Sequence, residues 1–270
     1  MEDEMKYVFA CCTDRGTGRK NNQDSLLIKQ AVYGKEQILL AMVCDGMGGL
    51  KRGEVASAAL VRSFSEWFEQ KLPPLLHTSL TEAKLFRSWG MLLQTMDRRI
   101  EAYGQRHDVA LGTTVTAMLF ARKAYYIMHV GDSRVYEVRR GIRQLTRDQT
   151  LVQQEVECGL LTRDEAERDA RRNVLLQCVG ASGEVSPMCR KGTLRKDTVY
   201  MLCCDGFRHM VSEKEMRKGL RPSRMKEERM MERQLAGLVR MNQDRGEQDD
   251  ISVIAVRTYK ERKGCWKQGQ

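Results

Sequence analysis

Two long amphipathic helical patterns follow one another directly, with segments rich in β-formers on both sides, and that order rules out a simple alternation of strand and helix. From Glu54 to Lys71 the apolar residues Val55, Ala58, Val61, Phe64 and Phe68, with Leu72 just beyond, step by three or four. Glu82 to Arg106 repeats the pattern through Phe86, Trp89, Leu93, Met96, Ile100 and Tyr103, and Arg224 to Asn242 gives a weaker third helix. Extended segments are expected at Met5–Thr13, Ser25–Gln30, Gln37–Cys44, Thr113–Ala121, Tyr125–Val130, Ser133–Arg139, Thr198–Cys204 and Ile251–Arg257. Several are joined by short turns such as Arg140-Gly141. The reading is α+β: mainly antiparallel sheets whose outer faces are covered by helices.

The abrupt ends of the strands carry the chemistry. Val43-Cys44-Asp45-Gly46-Met47-Gly48-Gly49, His129-Val130-Gly131-Asp132-Ser133-Arg134 and Leu202-Cys203-Cys204-Asp205-Gly206-Phe207 each set an aspartate where an apolar run stops. Gln248-Asp249-Asp250-Ile251 sets an acid pair just before the last strand. Any one of these is ordinarily a turn. Four in one domain read differently, because strand ends cluster in space and the gathered carboxylates repel one another. A divalent cation resolves that repulsion, and carboxylates with a backbone carbonyl and no thiolate or imidazole suit Mg²⁺ or Mn²⁺. The polar stretch Thr13 to Asp24 adds Arg19, whose planar fork matches phosphate oxygens. Its glycines fit neither a dinucleotide fingerprint nor a phosphate-binding P-loop.

Composition narrows the alternatives. A chain of 270 residues can bury enough surface to need no structural metal or disulfide. The nine cysteines are odd in number and form no C-x-x-C, and the four histidines form no zinc-type pair, so zinc chemistry is disfavoured. The longest apolar run, Ile38 to Cys44, is far too short to span a bilayer, which disfavours a membrane partner. The acidic start Met1-Glu2-Asp3-Glu4 is unlike a secretory signal and points to a cytoplasmic protein. Net charge is +10, but the excess is local. Lys214 to Arg233 holds eight basic against four acidic residues, and Arg257 to Lys267 five against one. No recognisable aromatic-interleaved basic motif accompanies them, so nucleic-acid binding is disfavoured.

Taken in order, these segments resemble the metal-dependent protein serine/threonine phosphatases of the type 2C-like (PPM) family, most closely their compact bacterial members. The resemblance runs from Thr13 to about Val256. It rests on the Arg19/Asn22/Asp24 loop, Asp45-Gly46-Met47-Gly48-Gly49 with Gly53-Glu54-Val55-Ala56, Gly112-Thr113-Thr114, His129 to Arg134, Asp205-Gly206 and Asp249-Asp250-Ile251-Ser252. It implies a four-layer α-β-β-α sandwich over residues 1–258, a flap at about 146–180 beside the cleft, and a basic tail at 259–270. It also implies that Asp45 bridges two Mn²⁺ or Mg²⁺ ions, with the Gly46 carbonyl on one and Asp205 plus Asp249 on the other. Asp132 and Asp205 would hold a third, weaker ion, and Arg19 would grip the substrate phosphate. The implied reaction is hydrolysis of phosphoserine and phosphothreonine by water bridging the metals, with no covalent enzyme intermediate. The implied partners are phosphorylated proteins and a cognate Ser/Thr protein kinase whose action the enzyme reverses.

Some positions depart from the family pattern. Gln23 stands where many relatives have a glutamate, so an outer contact to one metal, commonly through water, loses its charge and weaker binding of that ion is expected. Asp250 replaces the asparagine usual after the last metal acid and adds charge that offsets Gln23; with Gln23, Asp24 and Asp250 are the expected outer contacts to metal or its water. Met47 stands where eukaryotic members place a histidine proposed as general acid, while Leu50 and Gln149 replace histidines frequent in bacterial members. A binding module without turnover is the rival reading; it would be expected to lose one of Asp45, Asp205 or Asp249, and all three are present.

Overall fold

A computed structural model describes residues 5–18, 20–47 and 52–260 of the chain. Its strands are β1 (Lys6–Asp14), β2 (Ser25–Tyr33), β3 (Glu36–Cys44), β4 (Gly46–Met47), β5 (Gly112–Thr113), β6 (Val115–Ala121), β7 (Ala124–Val130), β8 (Arg134–Val138), β9 (Ile142–Gln144), β10 (Met188–Thr193), β11 (Thr198–Cys203) and β12 (Ile251–Tyr259). The helices are α1 (Gly53–Gln70), α2 (Leu72–His77), α3 (Glu82–His107), α4 (Leu151–Glu157), α5 (Arg163–Arg168), α6 (Gly206–His209), α7 (Glu213–Gly219) and α8 (Glu228–Asp244).

Two five-stranded sheets stack face to face, one ordered β1-β12-β11-β8-β9 and the other β10-β7-β6-β3-β2, and every pairing is antiparallel. Strand β3 shows why the chain needs four layers. Its residues Leu39, Ala41 and Val43 turn toward the core shared by the two sheets, while Ile38, Leu40, Met42 and Cys44 pack under α1 and α3. All seven are fully buried, so the run is continuously apolar because both of its faces are covered. On the other side, Met231, Leu235, Leu238 and Val239 of α8 join the core of the first sheet. Burying such side chains stabilises the fold by about 1.5–3 kcal/mol each before entropy is counted.

The expected elements are present with shifted limits, and some were not anticipated. The single strand expected over Thr113–Ala121 is broken at Thr114, because Gly112–Thr113 pairs with β4 whereas Val115 onward pairs with β3 and β7. The third helix starts at Glu228 rather than Arg224, since Pro222–Arg224 forms a separate 3₁₀ turn. Within the segment expected as a flap, α5 ends at Arg168; Asp169 turns extended and Arg171 folds back onto Asp169 and Glu155. Strand β12 runs to Tyr259, one residue into the expected tail, and residues 261–270 of that tail lie outside the described residues.

The register brings the acid-bearing strand ends to one end of the sandwich. Ser25 pairs with Cys44, and Cys203 pairs with both Arg134 and Val253. Residues 24, 45, 132, 205 and 249–250 therefore all lie at that edge, drawn from both sheets.

Candidate active site

Asp45 follows the last residue of β3, and its backbone is fixed on both sides. Its N–H donates to Thr114 Oγ1 at 3.0 Å, while its carbonyl accepts from Thr114 N at 2.8 Å and from Thr113 Oγ1 at 2.9 Å. Thr114 Oγ1 also lies 3.2 Å from Ser133 Oγ, which ties the Asp45 turn to the Asp132 turn. Thr113, Thr114 and Ser133 are buried, so these bonds form out of competition with water.

Close backbone packing then assembles the site. A Cβ on Gly46 would stand 2.4 Å from both the Gln23 and the Gly53 carbonyl oxygens, so the start of α1 and the Gln23 loop can press onto the Asp45 turn only because residue 46 is glycine. The same holds at Gly206, where a Cβ would meet the Asp250 oxygen at 2.2 Å. That contact seats the turn bearing Asp205 directly on the segment Asp249–Asp250. Gln23 N donates to Asp250 Oδ2 at 2.8 Å, and Cys204 Sγ donates to the Asp250 carbonyl at 3.2 Å.

The electrostatics of the cluster are those of acids held together without enough opposite charge. Burial and then the Asp24, Asp205, Asp132 and Asp249 carboxylates push the Asp45 carboxyl well above the usual range. Burial raises Asp24 to about 8, with Asp250 and Asp205 adding to the shift and the nearby Ser252 hydroxyl and Cys204 thiol opposing it. Asp132 is raised to about 7 by burial and Asp205, opposed by Arg208. Among the described residues no three His, Cys, Asp or Glu side chains are drawn together into a finished ligand cage. What the cluster does offer is oxygen atoms without partners: both carboxylate oxygens of Asp24, Oδ1 of Asp205 and Oε1 of Gln23 are buried and accept no hydrogen bond. Buried, unsatisfied, hard oxygen donors with repelling charges are what a Mg²⁺ or Mn²⁺ ion would satisfy.

Asp45, Gly46, Asp132, Asp205, Asp249, Gln23, Asp24 and Asp250 are thus brought to one place. Arg19 lies outside the described residues, as do Gly48, Gly49 and Leu50. Gln149 bonds the Gly131 backbone in both directions, its side chain accepting at 2.9 Å and its own N–H donating to Gly131 O at 2.8 Å; this anchors the start of the 146–180 segment beside Asp132.

Four further residues shape the site and carry no role in the sequence reading. Glu247 is buried and its Oε1 accepts from the N–H groups of Gln248 and Asp249, each at 2.9 Å, which fixes the Asp249 turn. His209 stands between Glu247 Oε2 at 3.3 Å and Asp205 Oδ2 at 3.5 Å. Asp148 is gripped by Arg134, with Nε at 2.9 and 3.0 Å and Nη2 at 2.7 Å. Burial alone would raise the Asp148 carboxyl, but Arg134 outweighs it and the group is held below its ordinary value. Arg208 Nη2 lies 3.5 Å from Asp132 Oδ2. For three of them the only signal in the sequence was a place next to a strand-end acid, Arg208 and His209 after Asp205-Gly206 and Glu247 two residues before Asp249; Asp148 carried none. A cavity of about 470 Å³ lined by Arg139, Arg140, Arg221 and Asp197 opens at the opposite end of β8 and β11 and holds none of these acids.

Comparison with known proteins gives a single answer. The chain is 30% identical over 256 residues to the serine/threonine phosphatase stp of Listeria innocua, covering 93% of this chain and 96% of that protein. Its fold matches the crystal structure of the serine/threonine phosphatase Stp1 from Staphylococcus aureus with a TM-score of 0.80 and 28% identity, covering 95% of this chain and 97% of that one. It also matches the catalytic domain of the serine threonine protein phosphatase PstP, solved in complex with two manganese ions, with a TM-score of 0.75 and 27% identity over 94% of this chain and 99% of that one. No helix among the described residues is long and apolar enough to cross a membrane. With the protein phosphatase 2C profile matching residues 15–244, the chain belongs to that metal-dependent family and is a protein serine/threonine phosphatase.

Proposed function

We propose that this phosphatase hydrolyses phosphoserine and phosphothreonine in proteins with two Mn²⁺ or Mg²⁺ ions held at the acid cluster, and so reverses the action of a Ser/Thr protein kinase. The observation that carries the reading is the set of buried carboxylate oxygens without partners around Asp45, whose own neighbours are four more acids. The two manganese ions in the PstP catalytic domain support the same count here. Asp45 would contact both ions, with the Gly46 carbonyl on one and Asp205 and Asp249 on the other; Gln23, Asp24 and Asp250 would contribute through outer contacts. When bound, the ions supply positive charge for the phosphoryl oxygens and lower the pKa of water between them.

The chain's own residues do the rest by position. Thr113 and Thr114 hold Asp45 on line, and Glu247 fixes the Asp249 turn, so the carboxylates are in place before substrate arrives. Arg19, with its planar fork, would bind the phosphate of the substrate. Residues 146–180, anchored through Gln149 to Gly131, would form a flap shaping access for the phosphoprotein. No cysteine is needed as nucleophile, and burial raises the two thiols next to the site, Cys44 and Cys204, well above their ordinary value, the opposite of an activated thiolate. A cytoplasmic setting, where thiols stay reduced, suits the eight free cysteines among the described residues.

The test is hydrolysis of a phosphothreonine peptide as Mn²⁺ is titrated and then chelated. Turnover that rises with Mn²⁺, vanishes with chelator and is lost in Asp205→Ala supports the reading. Undiminished turnover in the chelated enzyme contradicts it.

A further inference from the structure

The acids at this end of the sandwich divide into two groups by what balances them. Around Asp45 the neighbours are carboxylates, and Asp24 has no hydrogen-bond partner on either oxygen. Around Asp132 there are guanidinium groups instead. Arg134 holds Asp148 in a two-pronged pair, and Arg208 reaches the same place from the first turn after Asp205. Arg208 Nη2 lies 3.4 Å from the Asp132 carbonyl oxygen, 3.5 Å from Asp132 Oδ2 and 3.7 Å from Asp148 Oδ2, with its side chain only 16% exposed. Two arginines therefore face Asp132 and Asp148, while the Asp205 carboxylate beside them still pushes Asp132 upward.

We propose that the Arg208 guanidinium is a built-in cation that occupies the Asp132 carboxylate, so that the cleft takes two metal ions and Asp132 is kept out of the ligand set. This rests on the two-ion reading of the core. A divalent ion placed between Asp132 and Asp205 would have to displace Arg208 from Asp132 Oδ2, or sit beside its positive charge in a buried setting where such repulsion is poorly screened. Arg208 has little room to withdraw. It sits on α6, whose first residue, Gly206, is pressed onto the Asp250 backbone, and its Nη2 already contacts Asp132 and Asp148. A tethered cation has one consequence a metal does not: it cannot dissociate, so the charge at Asp132 is independent of the metal concentration outside. The role is one of charge compensation and positioning, since Arg208 acts through Asp132.

The experiment counts ions rather than turnover. The 270-residue chain and its variants would be titrated with Mn²⁺, following free ion by electron paramagnetic resonance and heat by calorimetry, with circular dichroism melts confirming that each variant is folded. The wild type should saturate at two ions. Arg208→Ala and Arg208→Gln should each gain a third, weaker class that disappears again when Asp132→Asn is added, while Arg208→Lys, which keeps the charge, should stay at two. Arg208→Gln preserves size and decides the matter if the alanine variant does not fold. Three ions in the wild type, or two in a folded Arg208→Gln, would overturn the inference while leaving the two-ion core intact. Fewer than two ions in the wild type would overturn the core reading and the inference with it.

Discussion

Asp45 and Thr114 hold each other through paired hydrogen bonds, Asp45 N–H to Thr114 Oγ1 at 3.0 Å and Thr114 N–H to the Asp45 carbonyl at 2.8 Å. The first bond depends on a side chain and can be removed by mutation; the second is backbone and cannot. Thr114→Val keeps the shape but leaves the Asp45 N–H and Ser133 Oγ without that partner. Leaving a buried donor unsatisfied costs about 1–3 kcal/mol. We expect Thr114→Val to lower the melting temperature and to raise the Mn²⁺ concentration needed for half-maximal activity, and Thr114→Ser to restore both. Equal metal midpoints in the three proteins would show that Asp45 is placed by other contacts.

Gln23 sets the second expectation. Its Oε1 is buried without a partner and its N–H is committed to Asp250 Oδ2 at 2.8 Å. Gln23→Glu adds a negative charge near an ion of charge +2, an interaction worth on the order of a kcal/mol even at an effective dielectric near 20. The Mn²⁺ midpoint should fall severalfold, while the rate at saturating metal changes less. Because Asp250 already brings a charge to the same place, Asp250→Asn should move the midpoint the other way, and the double variant should lie between. Four coincident titration curves would contradict this.

These two sites show where the sequence was legible. Asp45, Asp132, Asp205 and Asp249 stand out because each interrupts a buried apolar strand with a charge, an event that costs energy unless something compensates it. The helices α1 and α3 were legible for the same reason: one face must be buried, and the spacing shows it. Arg208, His209, Asp148 and Glu247 were not, since their roles arise from contacts between segments distant in the chain. Strand β10 reads Met188-Cys189-Arg190-Lys191-Gly192-Thr193, an edge strand with mostly exposed side chains, so no apolar alternation marked it. Helix α2 begins with Leu72-Pro73-Pro74, which reads as a break but is tolerated in a first turn, where no N–H is needed. The capping pair Ser212 and Glu215 of α7 is a local signal that the spacing Ser-x-x-Glu carries in the sequence itself.

Arg19 is assigned to substrate and not to metal. Arg19→Ala should raise KM for a phosphothreonine peptide with Mn²⁺ affinity nearly unchanged, and Arg19→Lys should rescue only in part because it lacks the planar fork. Calorimetry showing Mn²⁺ binding lost while KM stays constant would reverse the assignment.

His129 gives a pH dependence of stability. The ring is fully buried, with Nδ1 2.9 Å from Thr116 Oγ1 and Nε2 3.1 Å from the Arg147 carbonyl, and burial lowers its pKa to about 4. The unfolded chain takes up a proton near pH 6.5 that the folded chain refuses until about pH 4. This contribution is therefore fully present above pH 6.5 and is lost as pH falls through that window, to a total of about 3 kcal/mol. Urea unfolding of the wild type and His129→Gln from pH 7 to pH 4.5 should give a shallower pH slope for the variant. Parallel slopes would show that the ring accepts a proton in the fold.

The most direct measurement is an anomalous difference map from crystals of the protein grown with Mn²⁺. The account predicts two manganese peaks in contact with Asp45, one also at the Gly46 carbonyl and the other also at Asp205 and Asp249, and both absent in Asp45→Ala. A well-ordered crystal with no manganese touching Asp45, from enzyme that nonetheless hydrolyses phosphothreonine, would contradict it.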